Sequence, residues 1–246
     1  MLSKLLSLLG LAALASAAPL GNHTLTARSF SCSNPVAGLT QSDCQYLSNI
    51  GFAGTGSNPH SNNGHIWIGT DGPNTITFHN NAQNPNADVV MVLWDQSHGD
   101  SSSFLAANPP VLTISMAYGS SVTVSLANGV SGAWTALYRH VTILTQYGQV
   151  YNTWAEFTTG QYATVDISRL VNMGGNQLVA QVSTGCKADN TQCAYVCKSG
   201  NACYESGTYS LIGCNQPNSN AYYGGADPEG GCGGWANGGH IDATFL

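Results

Sequence analysis

The sequence predicts an all-β protein, a β-sandwich that carries a disulfide-rich loop subdomain. From residue 73 onward, short runs rich in β-branched and aromatic residues alternate with Gly, Asn and Ser turns, a pattern typical of sandwiches and barrels. No stretch has the apolar spacing of a long amphipathic helix. One short helix at Gln41–Ile50 is the most that the pattern supports. Eight cysteines, most of them in one late segment, add covalent cross-links to this picture.

The chain begins with the pattern of a secretory signal. Lys4 precedes the apolar run LLSLLGLAALA, and the small residues ASAA follow it. A charged start, an apolar run too short to span a bilayer and an Ala-x-Ala-like site predict a signal peptide over 1–18. We therefore expect a secreted, extracellular protein, with a membrane anchor as the weaker alternative. Asn22 begins a sequon for N-glycosylation, Asn22-His23-Thr24.

Charged residues are scarce and mostly acidic. They make up 7% of the chain, against roughly 25% in an average protein. Removal of the signal peptide leaves five basic and twelve acidic residues, a net charge of −7. Without a basic stripe, the chain is a poor candidate for binding nucleic acid or anionic membranes. There is no Gly-x-Ser-x-Gly, no P-loop and no dinucleotide fingerprint, so we predict no cofactor, and we expect a monomer.

The domain organisation follows from composition. Residues 19–72 are rich in Gly, Ser, Asn and Pro, which predicts a loop-rich N-terminal extension. Residues 73–246 hold the predicted sandwich, and 186–232 interrupt it as a disulfide-rich subdomain. The predicted strands are 74–79, 88–94, 110–116, 121–127, 133–138, 151–158, 163–168, 177–183 and 240–245.

Two of these strands show which faces are buried. Val122, Val124 and Leu126 alternate with hydroxyl residues, as in a strand with one wet face. The run 88–94, DVVMVLW, is apolar on both faces, which predicts a central strand covered on both sides.

The eight cysteines form an even set, which predicts disulfides in an oxidising compartment. The simplest pairing is one local bridge near the start and three bridges within the later group, although sequence does not choose among the possible pairings. A zinc site at Cys193-x3-Cys197 is the alternative, but no second compact Cys or His pair accompanies it, so we predict no metal. The cysteines are Cys32, Cys44, Cys186, Cys193, Cys197, Cys203, Cys214 and Cys232.

The stretch WAEFTTGQYATVDIS holds the candidate site. Val165 and Ile167 flank Asp166, so alternation places Asp166 on the face away from the core. If the turn centres on Gln161, Glu156 lies directly opposite Asp166, with Cβ atoms roughly 5 Å apart. Two like charges that close raise one pKa, which suits an acid and a carboxylate in glycoside hydrolysis.

The same arrangement also suits two ordinary surface carboxylates, since one residue of slip would move Asp166 to the other face. If the register holds, Trp154 shares the face of Glu156 and offers an apolar platform for a sugar ring. The loop residues Asp95, His98 and Asp100 form a weaker candidate site. Three aromatic residues in the Gly-rich C-terminal loops allow two interpretations: they stack on sugar rings, or they cover the disulfide-rich subdomain. They are Tyr222, Tyr223 and Trp235.

The same residues carry a family resemblance. AEF followed by a short turn and DIS resembles the central block of thaumatin-like (osmotin-type) proteins. ITFHNNA with VVMVLWD, the run 112–138, Gly185-Cys186 and GGHIDATF resemble other parts of that family in the same order, over roughly 74–246. The CKSGNxC pattern at Cys197–Cys203 is similar to that of small secreted fungal proteins described as effectors.

The resemblance implies a β-sandwich with an acidic cleft that is associated with β-1,3-glucan binding and, in some members, weak glucanase activity. Glu156 and Asp166 match the cleft acids. The family's cleft arginine falls at Ala136, with Arg139 close but out of register, and its second aspartate falls near 171–172, where no acid stands. We therefore expect ligand binding at Trp154, Glu156, Asp166 and Arg139, with Glu156 and Asp166 as tentative catalytic residues.

Three functions remain open at this point. The first is a non-catalytic extracellular protein that binds β-1,3-glucan or a host extracellular protein, as an effector does. The second is a weak endo-β-1,3-glucanase that uses Glu156 as acid and Asp166 as partner carboxylate. The third is a structural cell-wall protein with no function at the cleft.

Overall fold

β-Strands dominate the part of the chain that the structure describes. The structure is a computed structural model, and it describes residues 29–82, 87–96, 104, 108–223, 225–236 and 238–246. The helix α1 is Gln41–Ile50, which confirms the predicted helix. In chain order the strands are β1 Ile66–Ile68, β2 Asn74–Asn80, β3 Val89–Asp95, β4 Leu112–Met116, β5 Ser121–Leu126, β6 Ser131–Tyr138, β7 Trp154–Thr158, β8 Thr164–Ser168, β9 Leu178–Val182, β10 Lys187–Asp189, β11 Ala194–Cys197, β12 Tyr209–Ile212, β13 Ser219–Tyr223, β14 Pro228–Cys232 and β15 His240–Phe245.

The strands form two sheets. One has six strands in the order β1-β5-β2-β15-β9-β10. The other has nine: seven follow the order β12-β11-β8-β7-β6-β3-β4, and β14 pairs with β8 and with β13. The closing strand β15 runs parallel to β2, with His240 opposite Thr75 and Phe245 opposite Asn80. Strand β15 therefore lies in the interior of the six-stranded sheet, between β2 and β9.

A large apolar core fills the space between the sheets. Phe78 of the six-stranded sheet meets Trp134 of the nine-stranded sheet edge to face, with ring centroids 5.5 Å apart. Val124 and Leu126 are fully buried in this core, and Val122 packs against it. The predicted apolar face of β5 is therefore confirmed, and the fold is the predicted all-β sandwich. The opposite face of β5 is wet only in part, because Ser125 is buried, accepts a hydrogen bond from the Gly72 N–H and donates one to the Gly69 carbonyl.

A second, smaller core covers the outer face of the nine-stranded sheet. Leu47 of α1 and Phe52 pack there with Val90, Val92 and Trp94. The alternate residues of β3, Val89, Met91 and Leu93, belong to the sandwich core. Strand β3 is thus covered on both faces, as the run DVVMVLW predicts.

Helix α1 is capped and tied to the sheet by polar contacts. Thr40 caps its start by accepting a hydrogen bond from the Asp43 backbone N–H at 3.1 Å, and Gly51 ends it with φ 95°. The buried Asp43 carboxylate accepts hydrogen bonds from the hydroxyls of Thr40 and Ser115. It also lies 2.5 Å from His140 Nε2.

Four disulfides link the eight cysteines. Cys32 bridges Cys44 near the start, and the other three bridges lie within 186–232, which is the simplest pairing inferred from the sequence. The three later bridges are Cys186–Cys232, Cys193–Cys214 and Cys197–Cys203. Cys193 and Cys197, the pair with zinc-like spacing, are each bonded to another cysteine, so neither offers a thiolate.

The structure adds strands that the sequence pattern misses. Segment 19–72 contributes β1, which pairs with β5. Segment 186–232 contains five short strands, β10 to β14. Two parts of the sequence analysis, the signal peptide over 1–18 and the sequon at Asn22, lie outside the described residues. Within the described ranges, no helix is long and apolar enough to cross a membrane.

Candidate functional site

Glu156 and Asp166, here called the carboxyl pair, lie directly opposite each other. Strands β7 and β8 are antiparallel, with Glu156 paired with Asp166. The neighbouring residues Ala155, Val165 and Ile167 are buried in the sandwich core, so alternation places both carboxyls on the outer face of the nine-stranded sheet. The predicted register is therefore present in the structure.

Neighbouring residues shield much of the carboxyl pair from water: Asp166 is buried and Glu156 is half-buried. On β6, Ala133 lies opposite Glu156 and is fully buried. Asp166 itself is only 8% exposed. Its Oδ1 atom is buried and has no hydrogen-bond partner among the residues that the structure describes, while Glu156 is hydrogen-bonded by the Ser168 hydroxyl. Asp166 Oδ1 is therefore closed to a ligand, and the polar surface of the pair that a ligand can reach belongs to the half-buried Glu156.

Burial raises the pKa of both carboxyls. It raises the pKa of Glu156 to about 7, although the hydrogen bond from Ser168 acts in the opposite direction. Burial, together with the charge of Glu156, raises the pKa of Asp166 well above its usual value. Because removing a carboxylate from water disfavours its charged form, the pair binds protons near neutral pH.

Two tyrosines border the carboxyl pair. Tyr195 on β11 lies beside Ser168 in the parallel β8–β11 pairing, and its ring is 6.1 Å from that of Tyr209 on β12. Burial, then the charges of Asp166 and Glu156, raises the pKa of Tyr195. Burial, then the charge of Asp227, raises the pKa of Tyr209 to about 12. Both phenols therefore remain donors over the physiological pH range.

Two more acids approach from the disulfide-rich subdomain. Asp227 is hydrogen-bonded to Tyr209, and the charge of Glu229 on β14 acts on Tyr195. Strand β14 reaches this place because Gly231 passes close to β8, where a Cβ would lie 2.6 Å from the Val165 carbonyl oxygen. The sequence analysis missed Tyr195, Tyr209, Asp227 and Glu229. The sequence marks the two acids only by the scarcity of charged residues, and this scarcity does not indicate which strands pair with β8.

The comparisons with known proteins agree with this architecture. The model of the Allergen Asp f 4-like domain matches residues 70–245. The chain belongs to that family. It is a thaumatin-like family, so the resemblance inferred from AEF and DIS is confirmed.

Among solved structures, the thaumatin-like xylanase inhibitor TLXI is similar to this chain at 15% identity. The match covers 70% of this chain and 98% of that chain, with a TM-score of 0.33. No curated protein sequence gives a significant match.

Two of the predicted ligand residues of this Asp f 4-like domain need correction. Trp154 is 3% exposed: its ring packs between Trp94, at 5.4 Å, and Phe104, at 6.0 Å, and its Nε1–H donates to the Val150 carbonyl. A buried ring cannot stack on a sugar, so Trp154 supports the site from below instead of contacting a ligand.

Arg139 lies far from the carboxyl pair. It follows β6 six residues beyond Ala133, the partner of Glu156, which is roughly 20 Å along the strand. There it lines a separate cleft of 610 Å³ with Asp43, Asp88 and His140. A ligand that contacts both Arg139 and Glu156 would have to span roughly 20 Å, so Arg139 does not belong to the immediate surroundings of the carboxyl pair.

The position assigned to the family's cleft arginine also faces away from the carboxyl pair. Ala136 is buried in the sandwich core, on the opposite face of β6 from Ala133. A longer side chain at 136 would enter the core. Near the expected second aspartate, Val171 packs against the outer apolar cluster. The acids that do approach the site come instead from the subdomain.

The remaining aromatic candidates divide by exposure. Tyr222 is 64% and Tyr223 is 58% exposed, and Tyr222 lies directly opposite Glu229 in the β13–β14 pairing. Trp235 is buried in the sandwich core, so it has no free face for a ligand. At the end of β3, the Asp95 carboxylate lies 2.7 Å from His65 Nε2, and residues 98 and 100 lie outside the described ranges.

Proposed function

We propose that this Asp f 4-like domain protein is secreted and binds polysaccharide without cleaving it, and that its ligand is β-1,3-glucan. The observation that carries the proposal is the carboxyl pair, directly opposed and with both pKa values raised by burial. A protonated carboxyl donates one hydrogen bond and still accepts others. It therefore suits the hydroxyl groups of a neutral glycan.

The surroundings of the pair support binding. Two tyrosine hydroxyls, those of Tyr195 and Tyr209, lie close enough to the acids to feel their charge. The exposed ring of Tyr222 lies opposite Glu229 on the adjoining hairpin and offers an apolar face to a sugar ring. Polar groups beside an exposed aromatic ring are the elements that orient a glycan.

Secretion is supported by two features. The first is the signal-like pattern over 1–18. The second is the presence of four disulfides, which persist in oxidising compartments. A host extracellular protein as the partner, as for an effector, and a purely structural role in the cell wall are the alternatives that the binding experiment addresses.

A weak endo-β-1,3-glucanase is the second candidate, and one observation favours it. Directly opposed residues have Cβ atoms roughly 5 Å apart, which is compatible with the roughly 5 Å between the two carboxyl groups of a retaining glycosidase, and a Glu156 pKa of about 7 suits a general acid. Such an enzyme also needs an ionised nucleophile. Burial raises the pKa of Asp166, the residue that would serve, and this favours binding over cleavage.

Co-sedimentation with insoluble β-1,3-glucan tests the proposal, with cellulose as the comparison polysaccharide. We expect the protein to sediment with β-1,3-glucan. Glu156→Gln retains binding because the amide donates and accepts, whereas Glu156→Ala loses it. Asp88→Ala, which removes an exposed acid from the separate cleft that Arg139 lines, serves as the control and should bind like the wild type.

The alternatives give different results. Release of reducing sugar from laminarin that disappears in Glu156→Gln would establish the glucanase and overturn the non-catalytic proposal. Absence of retention on any glucan would exclude the binding proposal. Direct binding to an isolated host wall protein would then support the effector role, and binding to neither would leave a structural role.

A further inference from the structure

The outer face of the six-stranded sheet carries a cluster that the proposed glucan site does not use. His240 and Asp242 lie two residues apart on β15, and His79 lies on the neighbouring strand β2. Their neighbours Phe78, Ile241 and Ala243 are buried in the sandwich core, so all three polar side chains point outward. This face is on the opposite side of the sandwich from the carboxyl pair.

Both histidines converge on one carboxylate oxygen. The Nε2 atoms of His79 and His240 each lie 3.2 Å from Asp242 Oδ1. Residues i and i+2 of a strand share a face, and His79 is diagonal to Asp242, because Asp242 pairs with Thr77. The register of two paired strands, and not a flexible loop, thus sets the three backbone positions.

A second contact orients one of the rings. His240 Nδ1 lies 2.7 Å from the Thr75 hydroxyl, and Thr75 pairs with His240 across the two strands. In metal sites, a ligating histidine commonly uses its other ring nitrogen in a hydrogen bond that fixes the ring. Thr75 stands where such a partner is required.

We propose that His79, His240 and Asp242 form a binding site for a divalent transition metal ion of the zinc and copper class. Imidazole nitrogen and carboxylate oxygen are the ligand types that these ions accept. Two nitrogens, one oxygen and solvent would complete four-coordination. The side chains are exposed by 35% for His79, 36% for His240 and 53% for Asp242, so an ion can reach them from water.

The distances fit such an ion in part before it binds. An ion about 2.1 Å from both a nitrogen and an oxygen that are 3.2 Å apart makes an angle of about 100° between them, near the tetrahedral value. The three ligand atoms do not all lie within 4.8 Å of one another in the described structure. Binding therefore requires the two imidazole rings to turn toward each other, which their exposure permits.

The other compact group of ligand-type residues does not compete. The sulfur atoms of Cys186, Cys193 and Cys232 lie within 4.8 Å of one another. All three are bonded in disulfides, so none is a thiolate.

Isothermal titration of the secreted chain with ZnCl₂ and CuCl₂ tests the site. We expect one ion to bind per chain, with copper tighter than zinc by the usual order of affinities. Thr75→Val, which removes only the orienting hydroxyl, should weaken binding by about 10-fold. His79→Ala and His240→Ala each remove a ligand and should weaken it by more.

His60→Ala is the matched control, since His60 is exposed and lies outside the cluster. Electron paramagnetic resonance of the copper complex gives an independent readout: two coupled nitrogens in the wild type and one in either ligand variant. Circular dichroism confirms that the variants fold. Absence of binding by the wild type, equal binding by the ligand variants, or spectra that His79→Ala and His240→Ala leave unchanged would each overturn the proposal.

Discussion

Glu156 lies directly opposite Asp166 across the β7–β8 pair, on the outer side of strands whose other side forms the sandwich core. The small side chain of Ala133 continues this row on β6. Burial raises the pKa of both acids, so a protonated pair is compatible with the fold and an ionised pair opposes it.

This relationship predicts that stability falls as pH rises. The pKa of Glu156 in the folded state, about 7, exceeds its ordinary value of 4.5, so the folded state holds the proton more tightly than the unfolded chain. The stabilisation that the raised pKa of Glu156 gives the folded state is fully present below about pH 4 and is lost between about pH 4.5 and 7. The loss is on the order of 3 kcal/mol by linkage.

The double variant Glu156→Gln/Asp166→Asn isolates this effect. Compared with the wild type, it should be about equally stable at pH 4 and more stable at pH 8. Urea unfolding at both pH values measures the difference. A difference in the free energy of unfolding between the two proteins that stays constant from pH 4 to pH 8 would contradict raised pKa values at this site.

The contrast between Trp154 and Tyr222 gives a second prediction. Trp154 is buried against Trp94 and Phe104, so Trp154→Ala should lower the free energy of unfolding by about 3–5 kcal/mol. Tyr222 is mostly exposed, and Tyr222→Ala should change stability by less than about 0.5 kcal/mol.

Loss of the exposed Tyr222 ring should weaken glucan binding, although it leaves stability unchanged. In the glucan co-sedimentation assay, Tyr222→Ala should reduce retention even though its unfolding curve matches that of the wild type. Tyr118→Ala is the control, because Tyr118 is another exposed tyrosine, in the β4–β5 turn. Equal retention by Tyr222→Ala and the wild type would remove Tyr222 from the proposed site.

Local patterns predicted much of the sandwich. Val165 and Ile167 around Asp166 indicated the face of β8, and the ITFHNNA and DVVMVLW runs indicated β2 and β3. These inferences succeed because strand alternation is a local property that a buried face imposes on the sequence. The resemblance to thaumatin-like proteins added the order of the pieces.

Contacts between segments that are distant in the sequence could not be predicted from local patterns. The sequence shows that Trp154 shares a face with Glu156, but not that Phe104 covers it. It places Arg139 only three residues from the position of the family's arginine, whereas in the structure Arg139 follows the end of β6, roughly 20 Å from Ala133. Tyr195 and Glu229 reach the carboxyl pair through the β8–β11 and β8–β14 pairings, which no local periodicity encodes.

The disulfides of the subdomain should differ in their contribution to stability. Cys186–Cys232 closes a loop of 46 residues, whereas Cys197–Cys203 closes one of 6. Loop-closure entropy in the unfolded chain gives about 4 kcal/mol for the first bridge and about 2 kcal/mol for the second. Denaturant unfolding of the paired Cys→Ala variants measures both, and an equal loss would contradict the entropic account.

The attachment of α1 gives the last prediction. Asp43 is buried and accepts hydrogen bonds from Thr40 and Ser115, with His140 Nε2 at 2.5 Å. Asp43→Ala leaves those donors without their acceptor, and it should cost about 3 kcal/mol, since hydrogen bonds to a charged group contribute about 1.5–3 kcal/mol each. Asp88→Ala is the control, because Asp88 lines the same cleft but is exposed, and it should cost less than about 0.5 kcal/mol.

Hydrogen exchange locates the effect. Amides of α1 should lose protection in Asp43→Ala, because the helix has lost its polar attachment to β4 and to the turn after β6. The amides of β2 and β15, on the far sheet, should keep theirs. A uniform loss of protection across both sheets would show that Asp43 supports the whole fold and not the attachment of the helix.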